Sequence, residues 1–213
     1  MGTFGRLWLW LTLAVAAAFL LGGIAGWALP HGGDGGEAGP RLASPEELRQ
    51  PVHWHADFRV VIRGEPYSFD DPRFISTEDR ELSPNVHIHA PRTNVVHVHR
   101  EQTTWGEFFE SLGVGLTQAC LRLPNSPELC SNERERLRFF VNGVEVDDIR
   151  FLPIADLQRL LVYYGPEDAA AVAARFSDWV GDEACIVSGL CQERIPPGGL
   201  ENEPCAIGGM ACN

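Results

Sequence analysis

Six of the chain's seven histidines stand in three His-x-His pairs: "HWH" at 53–55, "HIH" at 87–89 and "HVH" at 97–99. Such alternation suits a β-strand, in which residues i and i+2 point to one face. His53, His55, His87, His89, His97 and His99 all have odd numbers. The even positions among them, Trp54, Ala56, Phe58, Val86, Ile88, Val96 and Val98, are apolar. Each segment therefore reads as a strand with one apolar face and one imidazole face, the histidines pointing away from the core. Imidazole is the commonest metal ligand and suits zinc, copper, iron and nickel. Copper or zinc is the expected cofactor. The only methionines are Met1 and Met210, which argues against a methionine-rich Cu(I) carrier. Six nitrogens could hold one ion with spares, or two ions. Asp57 and Glu101 share the odd parity, each two residues past a pair. Each is a candidate ligand, or an acceptor that orients an imidazole N–H.

The stretch "NVHIHAPRTNVVHVH" also suggests a register. With Pro91–Val95 as a hairpin loop, His89 lies opposite His97 and His87 opposite His99, both pairs symmetric about Thr93. Directly opposed side chains have Cβ atoms about 4.5–5.5 Å apart, so four imidazoles would form a square. A neighbouring "HWH" strand would bring six together. A one-residue slip would push imidazoles into the core, so the pattern specifies its own parity.

The elements that must position these strands follow from periodicity and end signals. Residues 52–62 alternate as a strand with one buried face, and Arg63-Gly64-Glu65-Pro66 reads as a turn into a second strand at "YSF". "TTWGEFFESLGV", 103–114, reads as a helix with Thr103 or Thr104 as N-cap, Glu107 completing a capping box and Gly113 closing the end. Asn142-Gly143 between apolar runs is a strong hairpin signal. A last strand is expected at 160–164, then a helix over 166–180 with Pro166 at its first position. Tyr163 and Tyr164 read as one core ring and one surface ring. Ser111 and Ser188 lie in no nucleophile-elbow context, and Asp147-Asp148 reads as a turn.

The fold class is α+β. The motifs "TTWGEFFESLGV", "FFVNGVEV" and "LLVYYG" resemble the β-grasp (ubiquitin-like) fold, which implies a mixed sheet with one packed helix. The sulfur carriers of that fold share a similar "VNG" hairpin but end in Gly-Gly, whereas "YYGPEDAAA" runs on into a helix. The resemblance thus implies fold and not function. The chain also resembles a loose group of exported bacterial and archaeal proteins with "HWHADF"-type starts and HxH-bearing strands. That resemblance implies export and no particular activity.

The 213 residues divide as 1–29, 30–51, 52–165 and 166–213. Leu7 to Leu29 is an uncharged apolar run, long enough at about 20 residues to span a bilayer as a single helix. It reads as an anchor. A signal peptide cleaved near Gly26-Trp27-Ala28 is the alternative. Arg6 before the run, with Asp34 and Glu37 after it, places the N-terminus in the cytoplasm and the rest outside. Residues 30–51 are a Gly/Pro-rich linker holding the seventh histidine, His31. Residues 52–165 form the His-rich domain, and 166–213 a helix and a Cys-rich tail. Six cysteines outside the cytoplasm read as disulfides. Cys120–Cys130 would close "LRLPNSPEL", and Cys185, Cys191, Cys205 and Cys212 would staple the tail in a pairing left open. A net charge of −12, with 17 arginines and no lysine, excludes nucleic acid as an expected partner. Three functions compete. One is a membrane-anchored metal-binding protein for sequestration, delivery or sensing. The second is a metalloenzyme using the same histidines. The third is an envelope interaction module with a pH-responsive histidine face, whose partner would be an envelope protein.

Overall fold

The computed structural model describes residues 48–77 and 79–200. The apolar run at 7–29, the linker with His31, and Cys205 and Cys212 lie outside the described residues. No helix among the described residues is long and apolar enough to cross a membrane.

The chain is mixed α+β. A seven-stranded sheet is built from β1 (Pro51–Ile62), β2 (Glu65–Pro66), β3 (Val86–Ile88), β4 (Val95–Arg100), β8 (Arg136–Val141), β9 (Val144–Val146) and β10 (Arg159–Gly165). Its order is β3-β4-β1-β10-β8-β9, with β2 pairing on β1. β1 and β10 run parallel at its centre. The other pairings are antiparallel. Strands β5 (Gly115–Leu116), β6 (Cys120–Arg122) and β7 (Leu129–Cys130) make a separate small sheet. The Cys120–Cys130 disulfide joins β6 to β7 at a position where the two residues face each other.

The helix α1 (Trp105–Ser111) starts where the sequence signals place it. Thr104 accepts from the Glu107 N–H, and the Glu107 carboxylate accepts from the Thr104 N–H, a complete capping box. Gly113, at φ +70°, closes the helical segment. Trp105, Phe108 and Phe109 are fully buried and pack with Ala56, Phe58, Val60, Val86, Ile88, Val96 and Val98 of the sheet. Burying one such large apolar side chain stabilises the fold by about 1.5–3 kcal/mol, so this layer fixes which face of β1, β3 and β4 turns inward. The β8–β9 hairpin turns at Asn142 and Gly143, both at positive φ.

Several expectations change. β1 buries both faces, not one. Val61, Phe140, Leu161 and Tyr163 form a second cluster with Val172, Phe176, Trp179 and Val180. For the same reason Tyr163 and Tyr164 are both buried, one in each cluster, because consecutive strand residues point to opposite faces. The helix expected over 166–180 is two shorter ones, α2 (Ala169–Ala174) and α3 (Phe176–Trp179). Asp168 takes the N-cap role by accepting from the Ala171 N–H, which leaves Pro166 outside the helix, and Arg175 at φ −102°, ψ 4° breaks the run. No strand forms at the expected "YSF", Tyr67–Phe69; the pairing on β1 is confined to Glu65–Pro66, with one further backbone bond from the Tyr67 N–H to Val60 O. Tyr67 and Phe69 instead turn in against Phe74. The last strand is longer than expected, Arg159–Gly165.

Candidate metal centre

The apolar layer beneath β3, β4 and β1 dictates where the histidines go. With Val86, Ile88, Val96, Val98, Ala56 and Phe58 all at 1% exposure or less on one face, the alternate residues must occupy the other. β4 is central, with β3 on one side and β1 on the other. His97 lies opposite His87 across β3–β4 and opposite His55 across β1–β4. The pairing of β1 with β4 shifts between Pro51 and Trp54, and His53 sits at that irregularity.

The hairpin register differs from the expected one by two residues: His87, not His89, faces His97. The physical reason lies in residues 89–94. The Val95 N–H donates to Arg92 O and closes the turn. His89 leaves the ladder, its Nδ1 lying 3.0 Å from Ser76 O. A two-residue shift preserves parity, so the imidazole face survives. The approach of His87 to His99 also survives, on the diagonal, with their Nε2 atoms 3.2 Å apart.

All six rings form one cluster. His97 is its hub, with ring centroids 6.4 Å from His53, 4.7 Å from His55, 6.0 Å from His87 and 4.8 Å from His89. His99 lies 5.6 Å from His53 and 4.8 Å from His87. One side-chain nitrogen from each of His53, His55 and His97 falls within 4.8 Å of the other two. Nitrogens bound at about 2.0–2.1 Å to a tetrahedral ion are about 3.3 Å apart, so small ring rotations would bring this trio around one ion.

The cluster is not a solvent-facing strand surface. His55, His87, His89, His97 and His99 are each at most 9% exposed, and only His53 is open to solvent. The chain beyond β10 supplies the cover. After α2 and α3 blanket the apolar half of this face, the segment leading into α4 (Ala184–Val187) crosses β1. Asp57 ties it down: the carboxylate accepts from the Glu183 N–H at 2.8 Å and the Ala184 N–H at 3.1 Å. Burial pushes the Asp57 carboxyl up to about 6, against the pull of these two amides. Ser188, one turn on, places its hydroxyl 2.8 Å from His55 Nδ1. Cys185 and Cys191 close a disulfide around Ser188. On the β3 side, Ser83 O lies 3.2 Å from His87 Nδ1, and Glu81 Oε1 lies 4.0 Å from the same nitrogen.

The Asp57 carboxylate therefore anchors the covering segment, two residues past His55. Glu101 follows β4, and its described hydrogen bond is a backbone one, N–H to Gln50 O. The residues that sequence reasoning missed are Ser76, Glu81, Ser83, Asp156 and Ser188. Asp156 accepts from the His55 backbone N–H at 3.1 Å. None carries a local signal, because each reaches the cluster from an irregular segment. A second grouping of metal-ligand types, Cys120, Glu128 and Cys130, is accounted for by the disulfide, which leaves no thiolate to bind an ion.

Chemically, the cluster offers imidazole nitrogens on three adjacent strands, second partners for several rings, and one exposed edge at His53. Comparison of the chain with protein-family models, with curated proteins and with solved structures finds no match.

Proposed function

We propose that the chain is a membrane-anchored extracytoplasmic protein that holds a transition metal ion, copper or zinc, for sequestration, delivery or sensing. The observation that carries this is the convergence of His53, His55 and His97, whose nitrogens lie within 4.8 Å of one another. The donor set fits: borderline ions take imidazole nitrogen, and the nearby partners of His55, His87 and His89 are of the kind that orient ligands. Exposure of His53 at the rim gives an ion a way in. The uncharged run Leu7–Leu29 supports the anchor. The two disulfides among the described residues support an oxidising compartment. The sheet order, with a hairpin on each side of two parallel central strands and α1 between them in sequence, supports a β-grasp-like description of the fold.

The test is elemental analysis of the full chain, purified without an affinity His-tag, beside a variant carrying Ala at His55 and His97. Near-stoichiometric metal in the wild type and its loss in the variant support the reading; equal trace metal in both refutes it. Zinc or copper at 100 times its Kd should stabilise the folded chain by about 2.7 kcal/mol. At about 2–4 °C per kcal/mol, that is a rise of roughly 5–11 °C in Tm. An unchanged Tm favours the envelope-module function instead.

A further inference from the structure

Resting on the metal-binding reading and extending it, we infer that the grip of the imidazole face on its ion is governed by the oxidation state of the Cys185–Cys191 disulfide, acting through Ser188 on His55. The link to the ligand is the contact of Ser188 Oγ with His55 Nδ1 at 2.8 Å. A hydroxyl both donates and accepts, so it satisfies Nδ1 in either neutral tautomer. An ion on Nε2 requires the tautomer with the proton on Nδ1, and Ser188 Oγ then accepts a hydrogen bond from that N–H. Such a partner fixes a ring's tautomer and orientation and raises its basicity as a ligand. Ser188 is thus a positioning residue for His55, one of the three histidines whose nitrogens lie within 4.8 Å of one another.

Two pins hold this hydroxyl in place. α4 has four residues, and a helix that short is not stable by itself. Its start is pinned by Asp57, whose carboxylate accepts from the Glu183 and Ala184 N–H groups. Its end is pinned covalently. Gly189, at φ +68°, turns the chain back, the Leu190 and Cys191 N–H groups donate to Cys185 O at 2.8 and 3.0 Å, and the disulfide closes the loop around Ser188. The Arg194–Asp182 ion pair beside it is solvent-exposed and contributes little. Cys185 and Cys191 are only half-buried, so a dithiol can reach the bond. A thiolate of that dithiol attacks Cys191 Sγ, the S–S bond breaks, and Cys185 leaves as a thiolate while a mixed disulfide forms. Arg194 Nη1, 3.6 Å from Cys185 Sγ, favours that leaving group. The second thiolate of the dithiol attacks its partner sulfur in the mixed disulfide and releases Cys191. The dithiol ends as a disulfide, and its two protons pass to Cys185 and Cys191. With the loop open, Ser188 comes away from His55 and the ion is held less tightly; reoxidation restores the grip.

The experiment measures Zn²⁺ affinity on the full chain, purified without an affinity His-tag, by competition with a chromophoric chelator. C185S/C191S opens the loop without adding thiols that would bind zinc themselves. It and S188A should each weaken binding about 10–100-fold. S188T should keep the wild-type affinity, and so should C120S/C130S, which opens the other disulfide among the described residues. The triple variant C185S/C191S/S188A should bind no more weakly than S188A, because the loop acts through that hydroxyl. Wild-type affinity in C185S/C191S or S188A, equal losses in S188A and S188T, or additive losses in the triple variant overturn the inference and leave the metal-binding reading standing. No zinc in the wild type overturns both. If C185S/C191S does not fold, the disulfide of the folded wild type is reduced with a dithiol and the thiols are capped as methyl disulfides: a loss matching that of S188A supports the inference, and an unchanged affinity overturns it.

Discussion

Replacing Asp57 by Ala and by Asn separates the two things this side chain does, anchoring the C-terminal chain and carrying a buried charge. Its carboxylate satisfies the N–H groups of Glu183 and Ala184. A buried N–H that loses its partner costs about 1–3 kcal/mol, so Asp57→Ala forfeits about 2–6 kcal/mol of anchoring. The charge acts in the other direction. Burial raises the carboxyl from 3.8 to about 6, which corresponds to about 3 kcal/mol against the ionised form. Both variants remove the charge, so that contribution cancels between them. Asp57→Asn keeps one oxygen able to accept both amides, though its NH₂ then needs a partner. Ala should therefore be less stable than Asn by about 2–4 kcal/mol, a Tm gap on the order of 10 °C. The assay is thermal unfolding of the chelator-treated protein at pH 7, paired with amide hydrogen exchange. In Asp57→Ala, exchange should accelerate over 183–188 while the amides of β8 and β10 keep their protection. Equal melting of the two variants, with equal protection over 183–188, would refute the anchoring role.

Gly106→Ala should destabilise the fold by more than 1 kcal/mol despite alanine's helix preference, because a Cβ there runs into the Arg150 carbonyl oxygen; a denaturant midpoint equal to wild type would contradict this. Removing the Cys120–Cys130 disulfide as paired serines should cost about 2–3 kcal/mol, the loop-closure value for a separation of 10 residues, read from thermal unfolding. On the acid side, the Arg63 guanidinium holds the Glu135 carboxyl below its ordinary range. A lowered folded value means this stability is present above the ordinary carboxylate pKa and is lost as pH falls through the folded value. Glu135→Gln should accordingly flatten the acid limb of the Tm–pH curve below about pH 4.5, and an unaltered limb would show that the pair contributes nothing.

What could be read from sequence was whatever a local rule governs. The parity of the His-x-His pairs, the Thr104/Glu107 capping box, the Asn142-Gly143 turn and the Cys120–Cys130 closure each depend on a few neighbouring residues, and the structure contains all of them. The β3–β4 register was missed by two because period-2 alternation cannot distinguish even shifts, and the contact that sets it, His89 to Ser76, spans an irregular loop. The cover over the imidazoles was missed because α4 meets β1 through residues more than 120 positions apart, such as Asp57 and Glu183. Without that contact the odd face of β1 reads as solvated.

The apolar layer under β3, β4 and β1 has a consequence for how an ion would be kept. The packing of Trp105, Phe108, Phe109 and the strand valines holds the histidine-bearing strands in place without calling on a metal ion. In a zinc finger the binding energy is the folding energy, and stripping the ion unravels the chain. Here an empty protein would keep its shape, so loading and unloading could cycle without refolding. Under the proposed function, occupancy would then track the free metal concentration around the protein.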